Sequence, residues 1–183
     1  MTLLLTEMWF DRAETELIEA AQTGDRSAFA ELLRPVYDTA LRLSGALLLD
    51  ANEAEDAVQE AAFTAWRRIR NLREGSSLRP WFLGIVANRC RAVKRNKWWS
   101  VTRSVPLETE APATDLALSL DLRRALRRIS YDERLILVLR YYLDLPYEEI
   151  ATTLGISTKA ARTRVERAIH RLRPIMQVQG AMA

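Results

Sequence analysis

Between Ser100 and Thr114 the sequence SVTRSVPLETEAPAT loses the apolar period that runs through the rest of the chain and gains Pro106, Pro112 and several hydroxyl side chains. Such a stretch reads as a flexible linker. It constrains the fold because helical patterning lies on both sides of it. Apolar residues recur there at spacings of three and four, and only 6 glycines and 6 prolines punctuate 183 residues. The sequence therefore predicts an all-α protein of two small helical domains, over residues 1–99 and 115–183, joined by a flexible linker over 100–114. Helices are expected at about Arg12–Gln22, from a cap at Asp25 to Ser44, Asn52–Leu72 and Ser77–Lys97. In the second half they are expected at Leu116–Ile129, Tyr131–Leu143, Pro146–Leu154 and Thr158–Leu172, the last ended by Pro174. The run Leu135 to Leu139 could be a buried strand by itself, but Ser130 with Glu133 three residues on forms a capping box and favours a helix.

Charge separates the chain further. There are 27 basic and 24 acidic residues, a net of +3, but the signs are blocked. Residues 1–75 are net acidic. Residues 76–105 carry Arg79, Arg89, Arg91, Lys94, Arg95, Lys97 and Arg103 without one acid. Residues 106–154 are again net acidic, and 155–183 oppose six bases with Glu166 alone. A basic block draws a polyanion through counterion release, and an acidic block repels one and suits a basic protein surface. Solvated helix faces would account for one such block; two suggest a protein that touches nucleic acid twice. One cysteine, Cys90, and one histidine, His170, leave no Cys/His cluster, so no metal or other cofactor is expected. Apolar runs are far shorter than a membrane span and the first residues are acidic, which predicts a cytoplasmic chain.

Three patches carry candidate chemistry. Pro146 to Leu154 followed by Gly155 and Ser157 has helix-turn-helix punctuation, with Ala151 and Ala161 small enough for close crossing and Ile150, Leu154, Ile156 and Val165 inward. In that geometry Thr158, Lys159, Arg162, Thr163 and Arg167 face the major groove or its phosphates. On Asn52 to Trp66, Asp56, Gln59 and Glu60 share one helical face, with Phe63 and Trp66 expected near the buried side. From spacing alone plain solvation is the favoured explanation of such a patch over a docking role for a basic protein, and no nucleophile or metal ligand accompanies it. The fourth expected helix interleaves Trp81, Phe82, Trp98 and Trp99 with Asn88, Arg89, Arg91, Lys94, Arg95 and Lys97, a combination that can stack and hold single-stranded bases, although Trp81 and Phe82 read more readily as core and Trp98 and Trp99 as packing on the linker or on a partner. The loop Asn71 to Ser77 at its head offers polar groups for a flipped base. Cys90 on that helix reads as a buried structural thiol rather than a redox switch.

The segments GDRSAFAELLRPVY (Gly24 to Tyr37), EDAVQEAAFTAW (Glu55 to Trp66), SSLRPWFLGIVANR (Ser76 to Arg89) and YEEIATTLGIS (Tyr147 to Ser157) occur in this order, with the linker between the last two. Together they resemble the extracytoplasmic-function group of bacterial sigma-70 family sigma factors. The resemblance implies a specificity subunit without catalysis of its own, which binds core RNA polymerase and directs it to promoters. It assigns Asp56, Gln59 and Glu60 to the coiled coil of the β′ subunit, with the β flap as a second polymerase contact. Asn71, Ser76, Ser77, Asn88, Arg89, Arg91, Lys94 and Arg95 match the positions that read and melt the minus-10 element. Thr158, Lys159, Arg162, Thr163, Arg164 and Arg167 match the minus-35 reading helix. The linker resembles the segment that threads the polymerase near the RNA exit path. Fully extended, its 15 residues reach at most about 50 Å, about 15 base pairs at roughly 3.4 Å each.

Ala92, Lys159 and Glu166 depart from the family's usual residues, which bears on the promoter sequence recognised. Control is expected from outside, by an anti-sigma factor that occludes both units. A stand-alone helix-turn-helix regulator of duplex DNA is the rival reading, but it gives no reason for the acidic patch or the basic-aromatic helix. A nucleic-acid-processing enzyme lacks its carboxylate cluster, glycine loop and paired histidines here.

Overall fold

The computed structural model describes residues 2–101 and 120–180, with side chains over 13–96, at 122 and over 124–176. The expected linker, beyond its first two residues, and the side chains of Met1 to Phe10, Trp98 and Trp99 lie outside the described residues. Every regular element among the described residues is helical. In chain order they are α1 (Thr2–Thr23), α2 (Arg26–Leu48), α3 (Ala51–Arg68), a 3₁₀ turn (Ile69–Asn71), α4 (Leu78–Val101), α5 (Leu120–Arg128), α6 (Tyr131–Leu137), a π-helical stretch (Val138–Tyr142), α7 (Tyr147–Leu154) and α8 (Thr158–Gly180).

Capping explains several boundaries. The Asp25 carboxylate accepts from the N–H groups of Ser27 and Ala28 at 2.8 and 3.1 Å and opens α2. For α3 the cap is Asp50, which accepts from the Glu53 N–H at 3.1 Å, so this helix starts before the expected Asn52. Ser130 and Glu133 make the expected reciprocal capping box at α6. The start of α4 is capped from a distance: Glu14 of α1 accepts from the Leu78 N–H at 2.7 Å and from the Ser77 hydroxyl at 3.2 Å. Two ends differ most from expectation. α1 begins at Thr2 rather than Arg12, since no glycine or proline interrupts residues 2–12. α8 runs through Pro174 to Gly180; a proline removes one helical hydrogen bond and kinks the helix, and with residues on both sides in helical register it need not end it.

α1 to α4 pack around Leu43, Leu47, Val58, Phe82, Leu83 and Val86, all fully buried, while α5 to α8 close over Ile136, Leu139, Ile150, Val165 and Ala168. The two sets are continuous, forming one apolar cluster from Ile18 to Ala168. Polar contacts cross between them. The Tyr131 hydroxyl donates to the Ala87 carbonyl at 2.6 Å. Arg42 donates to the Tyr142 carbonyl at 3.0 Å with its guanidinium over the Tyr142 ring. Arg134, buried at 2% exposure, donates to the carbonyls of Leu126 at 2.9 Å and Leu47 at 3.1 Å. Arg79 and Glu149 approach to 3.1 Å without hydrogen-bond alignment.

α4 passes close to α7 at Gly84, where a Cβ would stand 2.8 Å from the Thr153 carbonyl oxygen. Gly84→Ala should therefore push α7 off α4 while leaving α4 intact, because alanine favours a helix over glycine by about 1 kcal/mol. The expected outcome is faster amide hydrogen exchange over Ile150 to Leu154, with exchange over Phe82 to Ala87 unchanged or slower.

Candidate nucleic-acid interface

The helix-turn-helix forms as its punctuation predicts. Gly155 takes the left-handed conformation at φ 64°, and its N–H and that of Ile156 donate back to the carbonyls of Thr152 and Ala151, closing α7. Ser157 then opens α8 by accepting from the Ala160 N–H at 3.2 Å. Ala151 and Ala161 are buried at the crossing, Ile150 and Val165 lie within, and Leu154 and Ile156 are half-buried. The second helix presents Lys159, Arg162, Arg164 and Arg167 to solvent, with Thr158 half-buried at its start. Arg162 lies over the Tyr147 ring at 5.0 Å, which aims it along α7. Thr163 differs from the rest: it is half-buried and its hydroxyl donates to the Lys159 carbonyl at 3.1 Å, four residues back in its own helix.

On α4, Asn88, Arg89, Arg91 and Arg95 are exposed and Lys94 is half-buried. They do not form one free face. Arg91 pairs with Asp132 and lies over the Tyr131 ring at 5.2 Å, so its cation is turned to the second half of the chain. Arg89 reaches toward Glu60 of α3 at 3.9 Å. In the loop ahead of α4, Asn71 and Ser77 are exposed and Ser76 is half-buried. The loop's base is fixed by Gln22, whose amide donates to the carbonyls of Ile69 and Leu72 at 3.1 and 3.0 Å, and by Arg70, which donates to the Gln22 carbonyl at 3.1 Å.

α3 holds Asp56, Gln59 and Glu60 together on one exposed face, lining a depression of about 480 Å³ with Phe63 and Arg89. The expectation that Phe63 is near the buried side is corrected: it is 61% exposed, because Ala54, Ala57, Val58, Ala61 and Ala65 already complete the inward stripe, while Trp66 is half-buried against the Phe29 ring. A larger crevice of about 750 Å³ lies between the halves, and Arg91, Arg164, Arg167, His170 and Arg171 line it together with Asp132 and Glu133. Burial alone would raise the Glu133 pKa. The Ser130 hydroxyl and N–H and the nearby Arg171 guanidinium, at 3.1 Å, outweigh this and hold the carboxyl below its ordinary value. An apolar groove of about 300 Å³ runs between α5, α6 and α8 past Leu126, Tyr141, Ile169 and Met176, with Tyr141 60% exposed.

Among the described residues no group of three or more His, Cys, Asp or Glu is placed to hold a metal ion, and no helix is long and apolar enough to cross a membrane. Cys90 is buried, as expected of a structural thiol.

The sigma-70 region 2 family matches residues 28–100, and the sigma-70 region 4 family matches residues 119–172. The fold is thus of the sigma-70 type. Among curated relatives, the ECF RNA polymerase sigma factor SigL of Mycobacterium tuberculosis is 32% identical over 182 residues, spanning 88% of this chain and 98% of its own. SigM of the same organism is 28% identical over 166 residues, spanning 88% and 84%. The chain belongs to the extracytoplasmic-function group of the sigma-70 family. Among solved structures, the sigma factor RpoE in complex with the anti-sigma factor NepR from Bartonella quintana is similar, with a TM-score of 0.66 and 28% identity over 82% of this chain and 97% of that one. CnrH in complex with the cytosolic domain of CnrY shares the fold, with a TM-score of 0.69 over 91% and 98% of the two chains and 20% identity.

Burial pushes the Cys90 thiol up to about 12, against a backbone hydrogen bond and the Arg89 charge, which lower it. A thiol whose folded pKa exceeds its unfolded value, ordinarily near 8.5, stays protonated in the native state while the unfolded chain ionises. Its contribution to stability is complete below pH ~8.5 and is lost as pH rises toward 12. Native protein at pH 8 is expected to leave Cys90 unalkylated by iodoacetamide, urea-unfolded protein to react within minutes, and Cys90→Ala to flatten the alkaline limb of the stability profile.

Proposed function

We propose that the chain binds core RNA polymerase and directs promoter-specific initiation, with residues 1–99 serving core binding and the minus-10 element, 100–114 as linker, and 115–183 reading the minus-35 element. The carrying observation is the basic face of α8 on a helix-turn-helix frame, in one chain with a second basic helix, α4, behind the acidic face of α3. Asp56, Gln59 and Glu60 meet the basic coiled coil of β′. Asn71, Ser76, Ser77, Asn88, Arg89, Arg91, Lys94 and Arg95 take the unpaired minus-10 strand. Thr158, Lys159, Arg162, Thr163, Arg164 and Arg167 enter the minus-35 major groove. The groove past Tyr141 accepts the β flap. The protein acts in the cytoplasm, as a specificity subunit and not as an enzyme.

Arg91 on one side and Arg164 and Arg167 on the other line a single crevice, whereas two promoter elements one to two helical turns apart are separated by roughly 34 to 70 Å. The halves must part for both to be read. An anti-sigma factor that holds them together would silence the protein, and the similar sigma factor RpoE has been solved in complex with an anti-sigma factor.

The test mixes the protein with bacterial core polymerase and maps transcript starts on genomic DNA fragments, beside an Asp56→Ala, Gln59→Ala double variant. Specific starts with the wild type that vanish with the variant are expected. Duplex DNA binding without core binding would overturn the proposal in favour of a stand-alone regulator.

A further inference from the structure

We infer that Phe63 is the apolar anchor by which the acidic face of α3 grips a basic helical surface of core RNA polymerase, an inference that rests on the function proposed above. Only Phe63 and Tyr141 are large hydrophobic side chains left exposed among the described residues. Nothing in the core calls Phe63 outward or inward, because the inward stripe of α3 is complete without it. It stands seven, four and three residues after Asp56, Gln59 and Glu60, so the four share one helical face, and together with Arg89 they line one depression. The Arg67 guanidinium lies 5.8 Å from the ring centroid and biases the ring's orientation from the α3 side.

The charge around the ring selects the partner. Asp56 and Glu60 repel phosphate, so the part of the face around Phe63 favours a cationic partner over nucleic acid. Arg89 already extends its guanidinium to within 3.9 Å of Glu60, an intramolecular instance of a cation received there. A partner helix that presents Lys or Arg around one apolar side chain satisfies both halves of the face: its cations meet the carboxylates, and its apolar group buries the ring. Buried aromatics ringed by polar contacts carry a disproportionate share of binding energy, whereas exposed charges mainly set on-rate and salt dependence.

The full chain, fluorescently labelled, would be titrated with purified bacterial core polymerase at two salt concentrations, as wild type, Phe63→Ala, Phe63→Leu and Asp56→Ala. Phe63→Ala is expected to weaken binding about tenfold or more, with the wild-type salt dependence kept, and Phe63→Leu to restore most of the loss. Asp56→Ala is expected to weaken binding and flatten the salt dependence. The thermal midpoint of Phe63→Ala should equal that of the wild type. Wild-type affinity of Phe63→Ala beside a weakened Asp56→Ala would overturn the anchor and leave the proposed function standing. A lowered midpoint, or a dimer of the free chain that Phe63→Ala dissolves, would overturn it in favour of a structural or self-association role. Failure of the wild type to bind core would sink the proposed function itself, before any variant is compared.

Discussion

The buried guanidinium of Arg134 is the constraint to which both halves of the chain answer. Desolvation is the main influence lowering its pKa, and Arg127 adds to it; an uncompensated cation at this depth would cost several kcal/mol. The compensation comes from carbonyls. Leu126 lies near the end of α5, and Leu47 in the last turn of α2, where carbonyl groups have no intrahelical donor and the helix dipole is negative. Cation and helix end each satisfy what the other lacks. Removing either would leave a buried polar group unpaired, which is costlier than never having made the bond. α6 is thereby fixed against α2.

From that anchorage the remaining inter-unit geometry follows. With α6 held, Tyr131 sits against Ala87 and Asp132 beside Arg91, and α7 comes down on α4 where only a glycine leaves room. Cations that the proposed function assigns to two separate promoter elements then face one crevice. Under the proposed function, this arrangement is the one in which the two sets of cations are not yet free for separate elements.

The fold was legible in the sequence wherever its signal was local. Apolar spacing, the Asp25 cap, the Ser130 and Glu133 box, and the Gly155 turn each lie within a few residues of the element they define, and all formed. Candidate residues on α3 and α8 were legible for the same reason, since helical period alone puts them on one face. What escaped was long-range. Glu14 capping α4, Arg134 reaching α2 and Gly84 admitting α7 pair residues 63 or more positions apart, and no spacing along the chain announces such partners. Phe63 escaped differently. An aromatic on an amphipathic helix is usually core, and only the alanine stripe of α3, which fills the inward face with small residues, leaves this one outside. The hydroxyl bond that Thr163 makes to its own helix was not legible either, since a threonine's choice between backbone and solvent leaves no mark on spacing.

What resists opening is apolar contact and the buried guanidinium rather than the visible ion pairs. Arg91 and Asp132 are 48% and 74% exposed, and pairs of that exposure contribute about 0 to 1 kcal/mol. Arg79 is 43% exposed and misaligned with its partner. Salt alone should therefore loosen the arrangement little, whereas a partner that binds the parted form more tightly shifts the balance by its full difference in affinity. Complete conversion from one form to the other needs about 5.5 kcal/mol of such a difference, near 10⁴-fold. The α3 face is exposed in the arrangement described. Asp56, Gln59, Glu60 and Phe63 are exposed while Arg91 is still engaged, so a polymerase can dock there before any inter-unit contact breaks. The groove past Tyr141 is likewise open. In the proposed function these two exposed surfaces, on opposite halves of the chain, are both open to core polymerase while the halves are still together.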